Sequence, residues 1–313
     1  MARILAITND SERVYAALLR NDAVEITRSA PIVTAKNNSE GIAAAIRNMT
    51  SKSDFNESAA AMALPDYECI LKQREADDIS ERDLEMNLPY EFNEFIATGS
   101  EQNYAYDYQV LPAARGKPRR LLLAAVQRKS IYLCTDIAAD AKLNLVRLAP
   151  ETVALGDLVA AGGLSGKLCC IIDIGVDSVL LRIYRGVECL ASHEVMGGVA
   201  VIREALQARN LGFFEGTREE RAVVMNQPHC LQAAEGISAN IISALAYFLE
   251  QRILRPYTPI YLMGVGSLVP ALSKSLSRGV GADCLNISKL IKGKIENEYA
   301  AVLAPAIGAA LLR

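Results

Sequence analysis

The sequence has no C-x-x-C pair and only two histidines in 313 residues. Its seven cysteines, at 69, 134, 169, 170, 189, 230 and 284, sit mostly in apolar runs, where a thiol behaves as a small hydrophobe. An odd count without pairing spacing argues against a disulfide scaffold and reads as reduced thiols in a cytosolic protein. His193, at a strand end, and His229, in a polar loop beside Cys230, have no ligand set at metal spacing and read as structural or surface residues. G-x-S-x-G, the Walker A lysine loop and H-E-x-x-H are also missing, which removes the common hydrolase, P-loop and zinc-protease readings. Strong charge of either sign is lacking too. The 33 basic and 36 acidic residues leave a net charge of −3, so nothing here resembles a nucleic-acid surface. The basic cluster Lys117-Pro-Arg-Arg120 reads as a solvated loop.

Long apolar runs are absent. The stretch Tyr299–Leu312 falls short of the roughly 18 residues that a membrane span needs. The opening MARILAITND carries one Arg, a short apolar run and no small-residue cleavage site, unlike a signal peptide. The expectation is a soluble chain whose membrane role, if any, comes through a partner. With 51% apolar and 22% charged residues over this length, two domains with sizeable cores are expected.

What is present is a repeated order. Arg3–Ile7 and Arg13–Leu19 read as strands about the turn Thr8-Asn-Asp-Ser-Glu12, followed by Val24–Ser29 and a helix capped by Ser39. Leu168–Ile174 and Ser178–Tyr184 flank the turn Asp173-Ile-Gly-Val-Asp177, followed by Val187–Ser192, Gly197-Gly198 and a helix over Val199–Arg209. The offset, about 163 residues, is that of a duplicated domain rather than a solenoid. Between the halves, residues 66–147 are richer in charge and Tyr and predict an inserted α+β unit. It has a helical run at Ser80–Ile96, strands at Tyr104–Leu111 and Leu121–Val126, and a helix over Lys129–Leu143. Later, Ile237, Ile241, Leu245 and Leu249 mark a helix between Leu231 and Ile253, ended by Pro256 and Pro259. A buried strand, Pro259–Met263, then stops at Gly264-Val-Gly-Ser267 before a helix at Leu268–Arg278, and Tyr299–Leu312 closes the chain as an apolar helix.

Three glycine turns could carry chemistry. In Asp173-Ile-Gly-Val-Asp-Ser178, Gly175 lets backbone N–H groups converge on an anion, Asp173 could hold a metal or its waters, and Ser178 adds a hydroxyl. The same residues also suit an ordinary hairpin. Gly264, Gly266 and Ser267 allow close approach of a flat or anionic ligand at a strand-to-helix turn, or simply cap the helix. Gly197 and Gly198 allow the same approach, or close packing.

Duplicated strand–turn–strand halves, an Asp-x-Gly turn in the second and a late strand ending in Gly-x-Gly-Ser resemble the actin-like, sugar-kinase-like ATPase architecture. The insert narrows this. Leu64-Pro65, Cys69–Arg74, Ser80-Glu-Arg-Asp-Leu84, Leu88-Pro-Tyr90, Tyr106–Leu111, Leu121–Val126, Val146–Leu155 and Ala304–Ala310 resemble the PilM family of type IV pilus assembly proteins, related to FtsA. That resemblance implies an α/β, actin-like (ribonuclease H-like) duplicated two-domain fold. The first domain would be residues 1–65 and 148–166, the insert 66–147 and the second domain 167–313. It implies a nucleotide site, ATP with Mg, on Asp173, Gly175, Ser178, Gly197, Gly198, Gly264, Gly266 and Ser267. It also implies a PilN-like inner-membrane partner whose N-terminal tail enters a groove between first domain and insert, within a pilus or secretion assembly platform. The protein would be cytoplasmic and peripheral at the inner face of the membrane, with no direct insertion.

Several positions depart from the family pattern. Val265 replaces a glycine, Ile202 stands where a Thr is expected, and Asn210–Met225 has no Glu-x-x-Lys. Against Asp-Ile-Gly-Ser-Ser-x-Val-Lys the first turn offers Thr8-Asn-Asp-Ser-Glu-Arg-Val-Tyr15. Asp10 brings a negative charge within about 4 Å of the phosphate position, which costs roughly 1–4 kcal/mol. The expectation is therefore a scaffold with weak or lost ATP binding, no catalytic residues and no assigned metal ligands. The alternative is an active actin-like ATPase or sugar-kinase-like phosphotransferase. An FtsA-like filament is expected to need a C-terminal amphipathic anchor, and the chain ends at Leu312-Arg313 directly after its closing helix.

Overall fold

The computed structural model describes residues 3–10, 12–32, 38–51, 55, 57–76, 81–111 and 119–312. Strands β1 (Arg3–Asn9), β2 (Arg13–Arg20) and β3 (Ala23–Pro31) form an antiparallel meander, followed by helix α1 (Asn38–Thr50) and β4 (Ala59–Leu64). The inserted part holds β5 (Cys69–Ala76), α2 (Glu81–Asn87), β6 (Tyr104–Leu111) and β7 (Arg119–Gln127). Helix α3 (Arg128–Asp140), β8 (Asn144–Pro150) and α4 (Glu151–Val159) follow. The second half runs through β9 (Leu168–Ile174), β10 (Ser178–Arg185), β11 (Glu188–Met196), α5 (Ala200–Gln207), α6 (Arg218–Met225) and α7 (Pro228–Glu250). It closes with β12 (Ile260–Met263), α8 (Pro270–Val280), β13 (Cys284–Asn286) and α9 (Asn297–Leu311).

Duplication is written in the sheet order. The first sheet reads β3-β2-β1-β4-β8 and the second β11-β10-β9-β12-β13, each an antiparallel meander extended by two parallel strands. Alternation explains why each sheet can be covered on both faces. On β10, Val179, Leu181 and Ile183 enter an outer core with α5–α8, while Tyr184 enters a central core with α4 and α9. On β2, Val14, Ala16 and Leu18 face α1 and α3, and Tyr15, Ala17 and Leu19 face the central core. The insert's sheet, ordered β5-β7-β6, packs Leu121, Leu123 and Ala125 under Leu84, Leu88 and Phe92 in a core of its own.

Several expectations change. Ile137 and Ala138 of α3, expected in the insert of 66–147, lie in the core beneath the first sheet. Strand β8 belongs to that sheet, although the expected boundary at 147/148 cuts through it. Helix α9, expected with the second half, packs in the central core against α4 and residues of both sheets. Helix α1 starts at Asn38, so Ser39 lies in its first turn rather than at its cap. The helical run after Ser80 stops at Asn87, because Pro89 begins a 3₁₀ turn over Leu88–Phe92. Helix α7 begins at Pro228, which suits the first helical position, so His229 is helical rather than in a loop. Lys117, Pro118, Ser80 and Ser11 lie outside the described residues.

Candidate functional site

The three glycine turns of the second half meet at one place. Gly175 N–H donates to Ser178 O at 3.0 Å, Val199 N–H to Gly175 O at 3.1 Å, and Gly197 N–H to Asp177 O at 3.1 Å. A Cβ on Gly198 would stand 2.3 Å from Gly175 O, and one on Gly264 would stand 2.4 Å from Asp173 Oδ1. One on Gly266 would stand 2.2 Å from Ile174 Cγ2. Gly264 also has φ 74°, a left-handed conformation that glycine adopts without strain. Ser267 Oγ donates back to Gly264 O at 2.7 Å, closing its own turn. Beside this turn lies a cavity of about 880 Å³, lined by Arg218, Arg221, Ser267, Lys274 and Glu298 among others. Arg221 of this set is engaged by Glu298.

The first turn is satisfied from within. Asp10 Oδ1 accepts the backbone N–H groups of Glu12 and Arg13, both at 2.7 Å, and Oδ2 accepts the Tyr15 hydroxyl at 2.8 Å. This Asx-type turn directs its donors onto a resident carboxylate. The Tyr15 ring, itself buried, meets Phe214 of the second half with centroids 5.0 Å apart. Burial and the neighbouring Asp10 charge raise the Tyr15 pKa, so the phenol stays protonated and remains a donor.

A second cluster, gathered about Arg182 and reaching Asp173 of the Gly175 turn described above, is one that sequence reasoning missed. Arg182, in the apolar run of β10, is 0% exposed. Its Nη2 contacts Asp66 Oδ2 at 2.7 Å and Glu151 Oε2 at 3.2 Å, its Nε contacts Thr152 Oγ1 at 3.1 Å, and Nη1 lies 3.9 Å from Asp173 Oδ2. Asp66 in turn accepts Thr152 N–H at 3.0 Å and Thr152 Oγ1–H at 2.6 Å. The three carboxylates are 24%, 25% and 24% exposed, so the cluster opens to solvent on the acid side only. The signal in the sequence was a lone cation inside Val179–Tyr184, because a buried charge demands partners.

Burial, then the charge of Asp173, pushes the Glu151 carboxyl up to about 7, and burial alone pushes Asp157 to about 6. Asp157 Oδ2 is buried without a hydrogen-bond partner. Between the ordinary carboxylate range and these raised values, both groups hold a proton in the folded state that the unfolded chain has already released. Stability is therefore present in full below that range and falls as pH rises through the folded pKa. For Asp157→Asn, thermal melts are expected to show stabilisation on the order of 2 kcal/mol at pH 8, fading below pH 4. A variant curve parallel to the wild type across that window would contradict the assignment.

A groove of about 560 Å³ lies between the insert and the first sheet. On β7 the side chains alternate, so Leu121, Leu123 and Ala125 enter the insert's core while Leu122, Ala124 and Val126 line the groove. Strand β6 contributes Tyr106, Asp107 and Tyr108, and β8 contributes Leu148 and Ala149. Both β6 and β8 are edge strands of their sheets. Edge strands carry a row of backbone donors and acceptors able to pair with an added strand. Among the described residues, no helix is long and apolar enough to cross a membrane, and no group of three or more His, Cys, Asp or Glu could hold a metal.

Solved structures share this architecture. A PilM–PilN type IV pilus biogenesis complex matches 99% of this chain and 98% of its own, with TM-score 0.74 and 18% identity. The ethanolamine utilization protein EutJ from Carboxydothermus hydrogenoformans matches 98% of this chain and 90% of its own, with TM-score 0.51 and 14% identity. No curated protein matches significantly. Two sheets of identical order about a central helix pair define a duplicated actin-like fold, here with an inserted subdomain. The family description "Type IV pilus assembly protein PilM" covers residues 19–292. The chain belongs to the PilM family of type IV pilus assembly proteins.

Proposed function

We propose that this chain is a cytoplasmic scaffold of a type IV pilus, or related secretion or competence, assembly machine. It takes the N-terminal cytoplasmic segment of a PilN-like inner-membrane protein into the groove between insert and first sheet, and it sits at the inner face of the membrane through that contact. The observation that carries this reading is the groove itself, an apolar floor flanked by the two free strand edges of β6 and β8. The similarity of fold to a chain solved in a PilM–PilN complex supports it. An extended tail would add backbone hydrogen bonds along one edge and place alternate apolar side chains on Ala124, Leu148 and Ala149, with Asp107 facing a basic residue. The insert in this reading is the part built on β5, β6 and β7.

The test is titration of a labelled peptide carrying the partner's N-terminal segment. Ala124→Arg is expected to weaken binding more than tenfold with the melting temperature unchanged, because the new side chain fills the groove and leaves the insert's core intact. Wild-type affinity in that variant, or no binding by the wild type, would remove the groove from the proposal.

ATP is at most a structural ligand in this reading, and no residue is assigned a catalytic role. The proposed nucleotide-side residues are Asp173, Gly175, Ser178, Gly197, Gly198, Gly264, Gly266 and Ser267, whose turns adjoin. Among the described residues the first turn does not fit a triphosphate, because the N–H groups of Glu12 and Arg13 already hold the Asp10 carboxylate. The convergence of the second-half turns favours one other reading, an active ATPase or phosphotransferase. Saturable Mg-ATP binding with turnover abolished by Asp173→Ala would establish it against the scaffold.

A further inference from the structure

We infer that Arg182 is the resident cation around which the two halves of this protein close, so that the closed arrangement forms with no nucleotide or metal bound. The inference rests on the reading that ATP is at most a structural ligand, bound weakly or not at all. It concerns a cluster of side chains that the groove does not include.

The partners of Arg182 come from separate parts of the chain. Asp66 follows β4, Glu151 and Thr152 open α4, and Asp173 ends β9 beside the second phosphate-type turn. The guanidinium itself belongs to the second half, whereas Asp66 and α4 belong to the first. Tyr184, two residues on, donates its hydroxyl to Thr152 O at 3.0 Å and so grips the same helix end. Arginine suits this place because its planar fork reaches Asp66 through both Nε, at 3.1 Å, and Nη2, at 2.7 Å. A lysine offers one point of charge and cannot span both contacts.

Two further observations point the same way. Three acidic side chains surround one guanidinium, and only Asp173 of the three belongs to the second phosphate-type turn. Arg182 Nη1, fully buried, has no hydrogen-bond partner and is directed toward Asp173. A second clasp lies across a pocket that Asp66, Thr152, Gln73 and Cys189 line together. Arg120 holds Glu188 through two parallel bonds at 2.6 and 2.7 Å, and Gln73 donates to Cys189 O at 2.9 Å. Asp10 thus occupies the first turn, and Arg182 lies against Asp173 of the second, each supplied by the chain itself.

The experiment is small-angle scattering with limited proteolysis on the full chain. The wild type is expected near the compact radius of about 20 Å for its length, unchanged by Mg-ATP. Arg182→Gln is expected to enlarge that radius, speed cleavage between the halves and lower the melting temperature by roughly 8 °C or more. Arg182→Lys should fall between the two. If Arg182→Gln does not fold, Asp66→Asn, at a quarter-exposed partner, is read in the same way. An unchanged radius and digestion pattern in the folded variant overturns the inference. So does contraction of the wild type when Mg-ATP is added. Peptide titration into the groove is run on the same variants, and intact partner binding beside a failed Arg182 result separates this inference from the scaffold proposal.

Discussion

Replacing Thr8 by Asp together with Asp10 by Gly is expected to raise the affinity for Mg-ATP at least tenfold. The Asp10 carboxylate now accepts the N–H groups of Glu12 and Arg13 at 2.7 Å each, so neither is free to bind a phosphate oxygen. Removing it releases both donors and also removes a charge that costs a phosphate roughly 1–4 kcal/mol at about 4 Å. The new carboxylate at position 8 lies opposite Tyr15 in the β1–β2 ladder. Isothermal titration of wild type and double variant makes the comparison. Equal affinity would mean that Thr8–Tyr15 is not the counterpart of a phosphate turn.

Gly308→Val is expected to destabilise the protein by about 3–5 kcal/mol, because overpacking here cannot be absorbed by a side chain. A Cβ at Gly308 would stand 2.0 Å from Ala154 O and 2.5 Å from Ala154 C, both backbone atoms of α4. Helix α4 cannot retreat, since a Cβ on its Gly156 would in turn stand 2.3 Å from Val187 O. The substitution therefore parts α4 from α9 at the centre of the molecule. Gly236→Ala, on α7 with nothing within 4 Å of the added carbon, is the control and should be neutral or stabilising by up to about 1 kcal/mol. Paired thermal melts decide, and a Gly308 variant as stable as the control would refute the packing account.

Some elements could be read from local pattern alone. Leu168–Ile174 and Tyr104–Leu111 occur with the bounds that their β-branched, apolar and Tyr-rich runs suggest. Others could not. β4 reads Ala-Ala-Ala-Met-Ala-Leu, which favours a helix by propensity. It becomes a strand because it pairs in parallel with β1 on one side and β8 on the other. Helix α6 carries a local start signal, the capping box between Thr217 and Glu220. A hydroxyl and a carboxylate three residues apart suffice for it, with no help from distant parts of the chain.

The sequence by itself determined the repeated strand–turn–strand order and a middle segment of different texture. Both follow from residue types at short spacing, where propensity and turn geometry act alone. The departure of the first turn from a phosphate turn was legible only against the family pattern that the sequence resembles. Only the tertiary structure decided where α3 and α9 pack, which faces of β6, β7 and β8 make a groove, and which acids surround Arg182. Those contacts join residues as far apart as Asp66 and Arg182, whose pairing depends on how two sheets and two crossing helices close on each other. No local pattern contains that information.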